Sequence, residues 1–195
     1  MKAFLDQNKP ICTCTEKTCE GCEAGKAIVC HFNAKSLACF LLVAIPSFAI
    51  GIIGMCMNHW LFIIPWVAAV LLFFGLVEIR VMCSHCPHYA EPETRTLKCW
   101  ANYGSPKIWK YRPGPMSILE KIVFFSGIAF VFLYPAAIIA FTGRFILLSI
   151  FFAYILAGFY LMHRFMCRKC MNFACPLNAT DERAKEEFKK RNPGT

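Results

Sequence analysis

The sequence predicts an all-α membrane protein: four transmembrane helices arranged as two repeated helical hairpins, with a cytoplasmic, cysteine-rich, metal-binding cap. Three observations predict it. Four apolar runs, 37–57, 60–77, 122–141 and 145–162, interrupt a chain of 195 residues that is 57% hydrophobic and only 17% charged. At roughly 1.5 Å per helical residue, runs of about 20 residues cross a hydrocarbon core of about 30 Å. The heptapeptide Arg-x-Met-Cys-x-x-Cys occurs at 80–86 and again at 164–170, each time where an apolar run ends. Of the 13 cysteines, only Cys39 and Cys56 lie inside an apolar run, where small buried cysteines are ordinary.

The opening segment, 1–36, is polar and lacks the apolar core of a cleavable signal. It carries Cys12, Cys14, Cys19 and Cys22, with Cys30 and His31 behind them. Four thiolates so close together can form a metal site of their own, and Cys14-x4-Cys19-x2-Cys22 has the spacing of plant-type two-iron ligation, without its usual flanking loop or distant fourth ligand. The segment has too few apolar residues to fold alone, so metal binding is what would order it.

The first hairpin, 37–82, joins its two runs through Asn58-His59 alone, a link short enough to force antiparallel neighbours. Pro46 and Pro65 are expected to bend its helices, and Ser47, Gly51 and Gly54 to form a small-residue packing face. Glu78 and Arg80 stand near the end of the second run, where long side chains snorkel. No ionisable residue occupies the middle of any span, which argues against an ion channel or proton pump.

The central loop, 83–117, brings Cys83, Cys86 and Cys99, then aromatic residues (Trp100, Tyr103, Trp109, Tyr111) interleaved with Lys107, Lys110 and Arg112 and broken by glycines and prolines. This is a shaped loop rather than a helix. Its composition suits the lipid headgroup level, ahead of stacking on a nucleotide or quinone ring. The second hairpin, 118–166, turns at Thr142-Gly143-Arg144 and contains Pro135. The tail, 167–195, adds Cys167, Cys170 and Cys175. Its acids come first, Asp181 and Glu182, and its bases last, Lys189 to Arg191, the order that suits a short solvated helix. The sequon at Asn178-Ala179-Thr180 is read as chance.

The two short links put the termini and the central loop on one side of the membrane. Every lysine and arginine except Arg144 lies on that side, so the positive-inside rule makes it cytoplasmic, in the inner membrane if the cell is prokaryotic. The net charge of +9 then attracts anionic lipid headgroups rather than nucleic acid. A reducing cytosol keeps thiols free, which favours metal ligands over disulfides.

Two parallel repeats related by an axis along the membrane normal would bring the Cys-x-x-Cys turns together. Cys83, Cys86, Cys167 and Cys170 suffice for a closed zinc site but leave Cys99 and Cys175 idle. An iron–sulfur reading uses more of the chain, and Cys167-x2-Cys170-x4-Cys175-Pro176 resembles, without matching, bacterial cluster ligation. His163 precedes Cys167 by one helical turn and shares its face if the helix continues; His85 and His88 are reserve nitrogen donors. The leading expectation is electron transfer by an iron–sulfur centre between a cytoplasmic redox partner and a membrane partner or quinone. The alternatives are a zinc-binding scaffold or assembly factor, and a metal-delivery protein using the N-terminal thiols. The sequence names no catalytic residue and no oligomeric state.

Overall fold

A computed structural model of the chain describes residues 3–9, 13–14, 20–30 and 32–192. The described residues are mostly helical and form no strands, only two isolated bridges. Four helical segments are long and apolar enough to cross a membrane: Ala34–Cys56, Trp60–His85, Ile118–Phe141 and Phe145–Lys169. Much of their apolar surface is uncovered, with Leu42 74%, Ile146 80% and Phe141 91% exposed. A water-soluble protein does not present so continuous an apolar surface, and a bilayer covers it.

The first span is a single helix, α2 (Ala34–Cys56), preceded by a short α1 (Glu23–Ala27). Asn33 caps α2, its side-chain oxygen accepting from Ser36 N at 3.1 Å. The second span is composite. A 3₁₀ turn at Trp60–Phe62 leads into α3 (Ile63–Leu72), a π-helical turn at Phe73–Val77 and a last turn, α4 (Glu78–Val81). Pro65 falls in the first turn of α3, where its missing N–H has no helical acceptor anyway. A 3₁₀ turn directly precedes α3, and the other distortion of this span is the π turn, which no residue pattern announced. A short α5 (Pro87–Ala90) follows.

The third span, α6 (Ile118–Phe141), starts at a capping box. Ser117 Oγ accepts from Glu120 N, and the Glu120 carboxylate accepts from Ser117 N at 2.9 Å. Pro135 lies inside α6 and cannot bond the Val131 carbonyl four residues earlier. The Trp66 indole N–H of the second span donates to that carbonyl instead, at 2.8 Å. Gly143, at φ +69°, makes the turn into α7 (Phe145–Phe165). Arg144 beside it donates to Met57 O at 3.2 Å, so the basic residue isolated at this end ties the two short links together.

In lipid no hydrophobic effect drives helices together, so close packing must do it. The first span packs chiefly against the fourth and third, while the second lies against the third and, through Trp66 and Phe74 on Phe48, against the first. The expected small-residue face is present. A Cβ on Gly51 would touch Phe151 and Pro135 at 3.4 Å, and one on Gly54 would collide with Ile139. On α6, Gly127 leaves room for the ring of Phe73 from the π turn.

The remaining segments gather at the other end of the bundle. Phe4 packs edge-on against Tyr89, and Tyr111 N donates to Phe4 O at 2.7 Å. Val29 N donates to Lys169 O at 2.9 Å, and α1 packs on α8 (Glu182–Arg191) through Ala24, Ile28, Ala184 and Phe188. The tail helix has the expected order of charges but is docked rather than free.

Candidate metal centre

Each Cys-x-x-Cys forms a 3₁₀ turn immediately beyond a membrane span, Cys83–His85 and Cys167–Lys169. The two turns have nearly the same backbone. Met82 has φ −120° and ψ −55°, Met166 φ −108° and ψ −51°; Cys86 has φ −76° and ψ 137°, Cys170 φ −86° and ψ 130°. Corresponding hydrogen bonds close them: His85 N to Met82 O at 3.2 Å and Lys169 N to Met166 O at 3.1 Å. Pro87 holds Cys86 extended, as any residue before proline is held, and opens α5.

Cys83, Cys86, Cys99, Cys167, Cys170 and Cys175 all line one cavity of about 480 Å³. All six are free thiols. Among the described residues no three His, Cys, Asp or Glu side chains lie close enough together to hold a single metal ion. The six cysteines share one space. His163 also lines the cavity but is exposed, and α7 ends at Phe165, so the helical face expected to align it with Cys167 and Cys170 stops short of both. His88 lines the cavity too. His85 does not: its Nδ1 lies 3.0 Å from Gly114 O and its Nε2 3.4 Å from Glu120.

Whether these residues suit a metal can be judged from the groups facing the sulfurs. A neutral thiol is a weak donor and asks for an acceptor, whereas a metal-bound thiolate accepts N–H bonds. Except for the Glu78 carboxyl group, the polar groups here are donors. Asn102 Nδ2 donates to Cys83 Sγ at 3.3 Å, and Asn172 N to Cys170 Sγ at 3.4 Å. Backbone N–H groups of His88, Ala101 and Leu177 lie against Cys86, Cys99 and Cys175, each two residues beyond its cysteine, as Asn172 is beyond Cys170. The buried indole N–H of Trp100, without a partner of good hydrogen-bonding geometry, faces Cys170. The donor set fits thiolate ligands. Burial acts the other way in the metal-free protein. It raises the thiols of Cys86 and Cys170 and pushes those of Cys99 and Cys175 up to about 12, with neighbouring cysteines adding to the shift.

Three groups around this site were not singled out by the sequence. Glu78, expected to snorkel, is 5% exposed and lines the cavity, its carboxylate accepting from Asn102 Nδ2 at 3.2 Å. Asn178 and Thr180, set aside as a chance sequon, both donate to Cys170 O at 2.7 Å and so fix the second turn. Asn102, in the middle of the aromatic loop, bridges Glu78 and Cys83. The loop's rings take separate paths: Trp100 lines the cavity, Tyr111 is buried in the packing around Tyr89, and Trp109 stays partly exposed with Arg80 over its face at 5.9 Å.

Of the N-terminal thiols, Cys12 and Cys19 lie outside the described residues. Cys14 and Cys22 are partly buried against the α1–α8 contact, beside buried Cys30. They do not line the six-cysteine cavity. Cys39 and Cys56 are exposed on α2, on surface the bilayer would cover, so the expectation that they are buried within the bundle is corrected. No protein-family model matches the chain, and no curated protein or solved structure matches it.

Proposed function

We propose that this chain is a membrane metalloprotein in which Cys83, Cys86, Cys99, Cys167, Cys170 and Cys175 hold an iron–sulfur centre that passes electrons between a cytoplasmic donor and a partner within the bilayer. One observation carries the reading: six cysteines from two separated segments line a single cavity whose far wall is the apolar interior of the bundle. A cluster has several metal atoms and wants sulfurs spread around a volume, whereas one zinc ion wants four at a point. The second reading, a zinc clamp made by Cys83, Cys86, Cys167 and Cys170, leaves Cys99 and Cys175 without a role although both line the same cavity.

When bound, such a group supplies one-electron chemistry. The chain supplies the rest. Its N–H donors stabilise negative charge on sulfur, and Leu97, Phe40 and Phe124 keep water from the cavity walls. The orientation that completes the reading is the one given by the basic residues, with both termini and the cysteine turns cytoplasmic. In that orientation the paired hairpins act as a duplicated scaffold presenting one turn each.

The test is metal and acid-labile sulfide content of protein purified without oxygen, with its visible spectrum. Iron and sulfide in comparable amounts, lost together in Cys83→Ser or Cys170→Ser, are expected. Colourless protein with stoichiometric zinc would leave a structural clamp, and metal held labile by the N-terminal thiols alone would leave a delivery protein; either outcome refutes electron transfer.

A further inference from the structure

The six-cysteine cavity does not end at the cysteines. It descends between the helices past Phe40, Val43, Ala44 and Phe48 of α2, Phe132 of α6 and Ile155 of α7. Its upper end is polar, with Glu78, Asn102 and Asn172. Its volume, about 480 Å³, is that of a small-molecule site. Tyr160, 67% exposed, and exposed His163 also line it, so it reaches the outer surface of the bundle along α7. That surface is the one a bilayer covers, so the ligand must be lipid-soluble.

We propose that this cavity binds an isoprenoid quinone, with its ring beneath the cysteines and its chain along the phenylalanine walls. The choice of a redox-active ligand rests on the electron-transfer reading; the shape and polarity of the site do not. Two features select against a phospholipid. Among the described residues no lysine or arginine lines the cavity, and the Glu78 carboxyl group lies inside it, so a phosphate headgroup would find no fixed cation to pair with. A bare hydrocarbon is equally unsuited, because buried Asn172 Oδ1 has no hydrogen-bond partner among the described residues. A flat apolar ring carrying oxygens meets both requirements: it brings no phosphate, and its reduced hydroxyl form donates to Asn172 or Glu78 at the polar end of the cavity.

The test titrates the oxygen-free, detergent-solubilised full-length protein with a ubiquinone carrying one isoprene unit, following tryptophan quenching, with metal content measured on each sample. Saturable binding, weakened about tenfold or more in Ala44→Phe with metal content unchanged, is expected, since a phenyl ring there fills the cavity. A photoreactive quinone should label 40–48 or 155–163 in the unaltered protein, which keeps the test decisive if Ala44→Phe does not fold. Labelling elsewhere overturns the proposal. So does competition by phosphatidylglycerol as effective as that by quinone. Metal-loaded protein that binds no quinone overturns this site and leaves the electron carrier standing, whereas metal-free protein that binds quinone, lost in Ala44→Phe, supports the site while the electron carrier falls.

Discussion

Replacing Trp66 by phenylalanine probes how a proline is tolerated inside α6. Val131 O has lost its helical partner because Pro135 carries no N–H, and the Trp66 indole donates to it at 2.8 Å from a side chain 3% exposed. Phenylalanine keeps much of the ring packing against Met55 and Ile138 but removes the donor. An interhelical hydrogen bond in a bilayer is worth about 0.6–2 kcal/mol. A buried carbonyl left unpaired costs about 1–3 kcal/mol. The substitution should therefore destabilise the protein by about 1–3 kcal/mol.

The second arm is Pro135→Ala, which restores an N–H within helical reach of Val131 O. In that background the carbonyl keeps a partner when Trp66 is lost, so the penalty of Trp66→Phe should fall by roughly half or more. Any packing that Pro135→Ala itself loses against Gly51 cancels in the cycle. The assay is reversible unfolding in mixed micelles by an anionic detergent, followed by circular dichroism. Equal penalties in the two backgrounds would refute the claim that the indole replaces the missing helical bond.

Asn178→Ala with Thr180→Val removes both side-chain donors from Cys170 O; stability should fall by about 1–3 kcal/mol and metal content should fall with it, both measured on the same preparation. Gly127→Ala should be far worse tolerated than Gly158→Ala in a thermal-stability assay, because the first Cβ collides with the Phe73 ring while the second meets Val43 at an ordinary 3.6 Å. The metal-free protein should lose stability as pH rises from about 9 to about 12: Cys99 and Cys175 ionise near 12 when folded but near an ordinary thiol value, about 8.5, when unfolded, so above that value the unfolded chain binds fewer protons. Metal loading should release protons from these thiols, detectable in weakly buffered solution, and flatten that alkaline loss.

The spans were legible because twenty apolar residues in a row have few other uses, and their lower ends because a two- or three-residue link leaves no choice of direction. The paired turns were legible from Arg-x-Met-Cys-x-x-Cys, whose two copies adopt matching dihedral angles. The depth of Glu78 was not. Its environment depends on the π turn at Phe73–Val77, which changes the angular position of everything after it, and a hydrophobic run has no signal for that change. Asn178 and Thr180 were hidden for another reason: their partner is a backbone carbonyl, and backbone acceptors leave no trace in composition. The separate paths of Trp100, Tyr111 and Trp109 show the limit of reading interleaved aromatics as one surface, since a chain broken by glycine and proline points successive rings in different directions.

The cavity presents two tendencies that conflict in the metal-free protein. Burial favours neutral thiols, as the raised values at Cys86, Cys99, Cys170 and Cys175 show. The surrounding N–H groups, from Asn102, Trp100 and four backbone positions, favour charged sulfur. A bound cation satisfies both, because it cancels the charge that burial penalises while leaving the sulfur lone pairs that the donors require. Asn102→Leu separates the two tendencies. It removes the donor to Cys83 and Glu78 and puts an apolar side chain of similar size in its place; the Glu78 carboxyl group loses its partner under either reading, so the discriminating readout is metal affinity, which a metal-thiolate site should lose by about 10–100-fold and a site built only for neutral thiols does not have to lose.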